Sequence, residues 1–391
     1  MALHDGGNRL GRYVESTYGE EKVRAFVPPP LPPNPPIDIV RLMGRLTEAE
    51  RALGRLDGVT LLLPHQEIFL YMYVKKEAVL SSQIEGTQST LADLLRSELE
   101  QPVPFEDVRE VSNYVDALLY GLERLKSLPL SLRLIRELHQ RMLKSGRGSD
   151  KAPGEFRRSQ NWVGGTRPGN AMFVPPPIHE MHQCLHEFEL FLHENESCLP
   201  PLIKAGLIHV QFETIHPFLD GNGRIGRLLI TLYLHACGVL ETPLLYLSLY
   251  LKRNRSRYYQ LLQEVRESGA WEEWLEFFLD GVAETANQAF VAAKKVIDLF
   301  EKDRARLAAE GDRAGSLLRL HEAFQKHPYG TGRSLVGATG LSYPTVYAAL
   351  EQLTRLGIVT EVTGKRRDRI FAYTAYLDIL NEGTEPLPRT R

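Results

Sequence analysis

The sequence predicts a mainly α-helical protein that carries one small β-hairpin and ends in a winged helix-turn-helix. From about residue 37 to 300, apolar residues recur three or four positions apart, which is typical of helices that bury one face. Glycine and proline interrupt this pattern at 153–177, around the short extended runs NWV and AMFV. After residue 316 the chain changes to short helical segments followed by two β-rich runs.

Residues 1–36 are predicted to form a leader that ends in an extended strap. The strap, PPPLPPNPP at 28–36, contains seven prolines, which can neither continue a helix nor donate to a sheet. Residues 37–110 then form an N-terminal helical region, and 111–300 form the main helical body.

Eight segments of these two regions carry the helical pattern. They are 42–56, 67–86, 108–125, 132–143, 178–192, 202–215, 225–238 and 271–300. The interruption at 153–177 predicts the hairpin, and the charged stretch EKDRARLAAEGDRAG at 301–315 is expected to be a linker.

The C-terminal region, 316–391, has the element order of a winged helix-turn-helix: three helical segments, a strand, the basic turn KRRD and a second strand. Pro344 suits the first turn of the third helix and Gly357 suits its end. The wing carries Lys365, Arg366, Arg367 and Arg369, which could meet DNA phosphates. The recognition helix, Ser342 to Leu356, is poor in Arg and Lys, so protein docking is the other interpretation.

The stretch IHPFLDGNGRIGR, residues 215–227, contains the chemistry of an anion site. Its GNGRIG run fits the glycine spacing of a dinucleotide fold, but a helical segment precedes it where that fold requires a strand. A P-loop is excluded because no Gly-Lys-Ser/Thr follows. Glycines can instead turn backbone N–H groups inward around a phosphate, beside the positive end of a helix that begins near Arg224.

The polar side chains of this stretch fit a nucleotide triphosphate. Arg224 and Arg227 lie three residues apart, so both guanidiniums can reach one polyphosphate. Asp220 offers one carboxylate to Mg²⁺, which binds largely through water and phosphates. His216, with a pKa expected near its ordinary value, can remove a proton from an attacking hydroxyl.

This stretch resembles the Fic family signature, HPFx(D/E)GNGRxxR. It matches at every specified position: His216, Pro217, Phe218, Asp220, Gly221, Asn222, Gly223, Arg224 and Arg227. The resemblance implies a Fic-type helical bundle that transfers AMP from ATP to a Tyr, Thr or Ser hydroxyl of a target protein. It also implies that His216 is the general base, that Asp220 holds Mg²⁺, that Asn222 and the glycine amides bind phosphate, and that the arginines hold the β and γ phosphates.

A second stretch, VLSSQIEGTQS, resembles the inhibitory pattern of that family, (S/T)xxxE(G/N). Ser81, Glu85 and Gly86 stand at the matching positions, before the catalytic motif, as in the class with an N-terminal inhibitory helix. If Glu85 pairs with Arg227, the guanidinium is unavailable to the γ-phosphate and the carboxylate repels it. The hypothesis is therefore auto-inhibition by Glu85.

The hairpin at 162–174 resembles the family's flap, which aligns a target segment by strand addition. Backbone groups of Val163, Gly164, Gly165 and Thr166 are the expected contacts. Downstream, YLSLYLKRNRSRYYQLL resembles the segment that supplies the nucleoside pocket. Its candidates are Tyr250, Asn254, Tyr258 and Tyr259, although tyrosines at helical spacing are more often core residues.

Composition leaves several alternatives open. A net charge of −2 gives no global attraction to nucleic acid or to an anionic membrane, and no apolar run is long enough to span one, so a cytoplasmic protein is expected. Cys184, Cys198 and Cys237 suit reduced thiols. The alternatives to AMP transfer are removal of AMP, transfer of another phosphate-containing group, and a DNA-binding regulator whose body senses nucleotide. A homodimer is compatible with the sequence, which identifies no interface.

Overall fold

The computed structural model describes residues 9–18, 21–60, 63, 66–97, 106–194 and 199–387. Helices dominate it, and the predicted mainly α fold is confirmed. The first two strands and the helices of the body are β1 (Arg12–Tyr18), β2 (Glu21–Val27), α1 (Ile39–Thr60), α2 (Gln66–Ile84), α3 (Leu91–Ser97), α4 (Glu106–Arg124), α5 (Leu132–Met142), α6 (Ile178–His193), α7 (Pro201–Ile215), α8 (Asn222–Ala236), α9 (Ser248–Arg253), α10 (Arg255–Ser268) and α11 (Trp271–Ala308).

Two long helices, α1 and α11, run side by side and in the same direction. Arg41 pairs with Glu273 and Glu276 near the start of both helices, and Arg45 pairs with Asp280 one turn later. These ion pairs are partly exposed and add little stability individually, so the apolar stripes beneath them account for most of the packing.

Helices α7 and α8 form the centre of the body and carry the motif between them. Every residue of α7 from Leu202 to Ile215 is buried, as is most of α8. A helix that is buried on all sides lies inside a core. The loop that joins these two helices is thus held at both ends by buried helices, which suits a site that needs fixed geometry.

The leader contains a β-hairpin that the sequence analysis did not predict. Strands β1 and β2 pair antiparallel from Arg12–Val27 to Tyr18–Glu21. The backbone N–H of Phe26 donates to the carbonyl of Val174 at 2.9 Å, which joins this N-terminal hairpin to the 153–177 region. Residues 28–36 are without regular secondary structure, as expected for the proline-rich strap.

The hairpin predicted at 162–174 is shorter than expected. It consists of one isolated antiparallel bridge between Val163 and Phe173, closed by a 3₁₀ turn at Pro168–Asn170. Glycine and proline explain this, because Gly164 and Gly165 adopt positive φ and the prolines cannot donate to a longer ladder.

The predicted linker at 301–315 is helical for its first eight residues, because α11 continues to Ala308. The helical pattern of 271–300 simply extends through the charged stretch, whose acidic and basic residues are good helix formers. The remaining elements are α12 (Ala314–Lys326), β3 (Tyr329–Thr331), α13 (Gly332–Thr339), α14 (Tyr343–Arg355), β4 (Thr360–Glu361), β5 (Ile370–Ala372) and α15 (Thr374–Asn381). The strands form one antiparallel sheet in the order β3-β5-β4.

Four helices of the structure were not predicted: α3, α9, α10 and α15.

Among the described residues, no helix combines the length and apolarity that a bilayer crossing demands. Cys184 is buried and Cys237 exposed, and neither is in a disulfide, whereas Cys198 lies outside the described residues.

Candidate active site

The motif loop begins and ends in left-handed backbone conformations. His216 ends α7 with φ 49° and ψ 59°, an unusual conformation for a residue with a side chain. Gly221 precedes α8 with φ 79°, which glycine adopts without strain. Helix α8 starts at Asn222, two residues before the predicted start. The amides of its first turn therefore face the loop, where they favour an anion.

Three buried side chains outside the motif hold the loop in this shape. Arg157 donates from Nε to the carbonyl of His216 at 3.0 Å. Asn161 donates to the carbonyls of His216 and Phe218, at 3.2 and 2.8 Å. The His139 ring stacks on Phe218 with centroids 3.7 Å apart. These contacts fix the backbone on both sides of Pro217.

His139 also holds the backbone of Asp220. Its Nδ1 accepts from the backbone N–H of Gly154 at 2.8 Å, so its Nε2 carries the proton that is donated to the Asp220 carbonyl at 3.0 Å. Burial lowers the pKa of His139 to about 4. The neutral ring is therefore the form present near pH 7, and this form makes both bonds.

The Asn222 side chain is bonded to the backbone of the motif loop. Its Oδ1 accepts from the backbone N–H of Phe218 at 2.9 Å, and its Nδ2 donates to the carbonyl of the same residue at 2.8 Å. This reciprocal pair closes the loop from 218 to 222. The contact of Asn222 with phosphate stays a prediction.

Arg227 is bound by two of the three residues of the predicted inhibitory pattern, Ser81 and Glu85. Its Nε donates to the Ser81 hydroxyl at 2.9 Å, and its Nη2 donates to the Ser81 carbonyl at 3.0 Å and to Glu85 at 2.7 Å. The guanidinium is 1% exposed, whereas the Glu85 side chain is 30% exposed toward the cavity. Gly86 ends this segment with φ 99°, as the sequence suggested.

The Glu85 carboxylate lies over the first turn of α8. A Cβ built on Gly223 would lie 2.4 Å from Glu85 Oε1, so any larger residue at this position would require the Glu85 side chain to move. Burial opposes ionisation of Glu85, but the positive charges of Arg227, Arg224 and Arg147 outweigh it and lower its pKa below the usual value. An ionised carboxylate of the protein itself therefore lies beside Gly223 and Arg227.

Arg224 is buried against an acid that the sequence analysis missed. Its Nη1 lies 2.8 Å from Glu110 of α4, and its Nη2 lies 3.6 Å from Asp220. Within the described part of the chain, none of its three nitrogens has a hydrogen bond of good geometry. Arg147, a third arginine of the site, contacts both Glu110 and the carbonyl of Glu85 at 3.3 Å.

The expectation of an ordinary pKa for His216 is wrong. Burial, together with the positive charges of Arg157 and Arg266, lowers its pKa to about 4, although Nδ1 donates a hydrogen bond to the Glu213 carbonyl at 3.2 Å, which acts in the opposite direction. A carbonyl only accepts, so Nδ1 carries the proton and Nε2 has the lone pair. His216 is thus a neutral ring whose Nε2 can take a proton.

Glu213 is a second titratable group that the sequence analysis missed. Its Oε2 lies 3.9 Å from His216 Nδ1, and its Oε1 is buried without a hydrogen-bond partner among the described residues. Burial raises the pKa of Glu213 to about 7 despite the nearby charge of Arg227. Glu213 lies one turn before His216, so the charge on its carboxyl group and the charge on the His216 imidazole influence each other.

One cavity of about 580 Å³ is lined by residues of the flap, of the motif and of the segment around Glu85. The flap contributes Val163 and Gly164 to it, whereas Gly165 and Thr166 lie outside the lining, in a turn that Asn170 Oδ1 closes by accepting from the Thr166 N–H. The motif and the inhibitory segment contribute the following residues: Glu85, His216, Asp220, Gly221, Asn222, Gly223, Arg224 and Arg227.

Only two of the four predicted nucleoside contacts line the cavity. Tyr258 and Tyr259 do so, and the Tyr258 hydroxyl lies 2.8 Å from His209 Nε2. Tyr250 instead packs on Phe277, with ring centroids 4.9 Å apart. Asn254 lies at the junction of α9 and α10 and donates to the Tyr250 carbonyl. For Tyr250 the ordinary interpretation of helical spacing, core packing, is the correct one.

Two family models match parts of this chain. Residues 43–123 match the family model described as Fic/DOC family N-terminal, and residues 129–234 match the Fic/DOC family model. The predicted inhibitory segment lies in the first match and the motif in the second.

The curated relatives that this chain resembles are named protein adenylyltransferase Fic. The chain is 32% identical to the one from Drosophila willistoni over 250 residues, which are 60% of this chain and 47% of the relative. It is 34% identical to the one from Drosophila virilis over 223 residues, 54% of this chain and 42% of the relative. The chain thus spans less than half the length of these relatives.

Among solved structures, the fold is similar to that of a Fic family protein from Desulfovibrio desulfuricans G20. The TM-score is 0.55 at 19% identity, over 85% of this chain and 95% of that one.

Proposed function

We propose that this chain, whose residues 43–123 and 129–234 match the two Fic/DOC family models, transfers AMP from ATP to a hydroxyl side chain of a target protein and of itself. The observation that carries the proposal is the glycine turn at the start of α8, beside His216, which lines the same cavity and whose Nε2 has its lone pair available. The names of the curated relatives support the same reaction.

In the proposed reaction, the hydroxyl oxygen of the target attacks the α-phosphorus of ATP. The bond from that phosphorus to the bridging oxygen breaks, and pyrophosphate leaves with the electron pair. His216 Nε2 takes the hydroxyl proton. The low pKa of His216 keeps the ring neutral before ATP binds, and the negative charge of the bound triphosphate would raise that pKa toward the value useful for a base.

Asp220 suits the proposed Mg²⁺. Its carboxylate lies at the cavity rim with the side chain 34% exposed, and one carboxylate completed by phosphate and water is a usual magnesium shell. When bound, the ion would neutralise phosphate charge. The chain's own contribution is to hold the phosphates with the amides of α8 and the carboxylate of Asp220 in place through His139.

We further propose that Glu85 inhibits this reaction. Its carboxylate occupies the space above Gly223 and binds Arg227, so a γ-phosphate would meet a like charge and find the guanidinium already paired. Glu85→Gly removes the carboxylate and leaves Arg227 held only by Ser81.

Labelled ATP tests both proposals. The Glu85→Gly variant should incorporate label into itself at least tenfold faster than the parent, and Glu85→Gly with His216→Ala should incorporate none. Mass spectrometry should find an added AMP on a hydroxyl side chain. Removal of AMP, or addition of another phosphate-containing group, would appear as a different mass change and would overturn AMP transfer.

A second activity, DNA binding, is favoured by one observation in the C-terminal region. Lys365, Arg366 and Arg367 of the predicted wing are exposed between β4 and β5. Such residues contact phosphates in winged helices, which gives binding that weakens with salt. A gel shift of the Glu85→Gly, His216→Ala double variant would test DNA binding independently of AMP transfer.

A further inference from the structure

The C-terminal turn of α2 is held from two opposite sides. On one side, Ser81 and Glu85 bind Arg227 at the cavity. Gln83 stands between them in the sequence, and because each helical residue turns by about 100°, it projects about 200° away from Ser81. Gln83 therefore contacts a different part of the chain, on the side of α2 that faces away from the cavity.

That partner is the C-terminal tail, defined as residues 382–387, which follows α15. Gln83 Nε2 donates to the carbonyl of Thr384 at 2.8 Å and to that of Ser89 at 2.8 Å. Its Oε1 accepts from Lys252 Nζ at 2.7 Å. Lys252 also donates to the carbonyls of Gly383, at 3.2 Å, and of Glu385. The three residues that meet here, Gln83, Thr384 and Lys252, are 1%, 3% and 5% exposed.

The polar groups at this junction satisfy one another. An ammonium has three protons, and Lys252 has three acceptors, two of them from the tail. Burial lowers the pKa of Lys252 to about 8, so its charge depends on these acceptors for solvation. Removing the tail takes two acceptors from Lys252 and one from Gln83.

The tail contacts also limit how far the end of α2 can move. Gln83 is tied to α9 through Lys252 and to the tail through Thr384, and Arg255 Nε donates to the carbonyl of Ile84 at 3.1 Å. A displacement that carries Glu85 off Arg227 would shift Gln83 as well, because only two residues separate them. The contacts of Gln83 and Ile84 therefore resist any displacement of α2 that would take Glu85 away from Arg227.

We propose that the C-terminal tail is a latch that holds the end of α2 against Arg227, and that releasing it weakens inhibition by Glu85. This inference rests on the proposed inhibition. The tail leaves from α15, which itself packs on α2, α3 and α11, so the latch connects the C-terminal region to the nucleotide cavity.

Three variants of the full protein remove the latch to different degrees: Gln83→Met, Lys252→Met and a truncation after Asn381. Met keeps the length of either side chain and loses its hydrogen bonds. The matched control is Lys302→Met, which removes an exposed ammonium of α11. Thermal unfolding identifies the variants that remain folded.

The first measurement is self-incorporation of labelled AMP. Each latch variant should raise the rate at least threefold over the parent, and Lys302→Met should leave it unchanged. In the Glu85→Gly background the same variants should have no further effect, because the inhibitory carboxylate is already absent. If they still raise the rate of self-incorporation at least threefold in that background, the latch proposal is wrong.

The second measurement is hydrogen exchange of the backbone amides of Glu85 and Gly86, which donate to the carbonyls of Ser82 and Gln83. Exchange at these amides should speed up at least tenfold in folded latch variants. Unchanged exchange would overturn the latch whatever the activity. If exchange speeds up but Glu85→Gly does not raise AMP transfer, the proposed inhibition fails and the latch loses the function assigned to it.

Discussion

Glu85 and Gly223 are so close that a single methyl group cannot fit between them. The Cβ of an alanine at 223 would lie 2.4 Å from Glu85 Oε1 and 3.0 Å from an Arg227 nitrogen. Contacts under 3.0 Å require one partner to move. The Glu85 carboxylate thus occupies the space beside the first turn of α8 that, in the proposed function, a phosphate would need.

Gly223→Ala is expected to displace Glu85 from Arg227 while it narrows the space beside the first turn of α8. The gain in ATP affinity from Glu85→Gly should therefore be smaller in the alanine background, with a coupling of about 1 kcal/mol or more between the two sites. Calorimetric titration of ATP into the four proteins of this cycle measures it. Gly44→Ala is the control, since nothing lies within 4 Å of its added Cβ. If the two substitutions change the ATP affinity additively, the Glu85 carboxylate and the added methyl group do not compete for the same space.

Ser81→Ala should release part of the inhibition. The hydroxyl accepts from Arg227 Nε, so its loss loosens the guanidinium by about 1 kcal/mol and should raise self-incorporation of AMP several-fold, less than Glu85→Gly does. Ser82→Ala is a closely matched control, because Ser82 is also fully buried and its hydroxyl has no hydrogen-bond partner within the described ranges. Equal rates for the two alanine variants would remove Ser81 from the inhibitory contact.

Glu213 should make the protein less stable as the pH rises. Burial raises its folded-state pKa from 4.5 to about 7, so between these values the native state holds a proton that the unfolded chain has lost. The free energy of unfolding therefore falls with rising pH across this window, by up to about 1.4 kcal/mol per unit from this group.

Thermal unfolding of the parent and Glu213→Gln from pH 5 to 8 isolates this contribution. The gap in Tm between Gln variant and parent should widen as the pH increases. Glu50→Gln, at an exposed position of α1, should track the parent throughout. A constant gap would mean that Glu213 ionises normally.

Arg366→Ala with Arg367→Ala should weaken the proposed DNA binding without altering AMP transfer. Each lost phosphate contact should lower the slope of log affinity against log salt by about 1. Gel shifts at several salt concentrations give the slope. Glu322→Ala in α12 supplies a charge-changing control on the same module. An unchanged slope would assign the wing to another role.

The sequence predicted the local features of the site because its key residues are consecutive. His216 to Arg227 span one loop and one helical turn, and Ser81 and Glu85 share one helical face, so spacing alone brought each set together. The pairing of Glu85 with Arg227 crosses 142 residues and was inferred from the resemblance, and the structure contains that ion pair.

The supporting residues could not be found in this way. His139, Arg157 and Asn161 act on the loop from 55 to 81 residues away, through carbonyl groups that no local pattern reveals. Glu110 did leave a signal, because it stands beside Val111 on the buried face of α4, where an acid requires a partner. The pKa of His216 also depended on distant charges, those of Arg157 and Arg266.

The N-terminal hairpin has a practical consequence for how the protein is produced. Phe26 and Val174 share a backbone hydrogen bond, so the residues before the proline-rich strap brace the flap that borders the cavity. A shortened version that starts at the strap would retain every motif residue, yet its flap would lose this neighbour. Kinetics measured on such a trimmed protein, or on one bearing a bulky fusion at this end, would describe an altered entrance to the cavity.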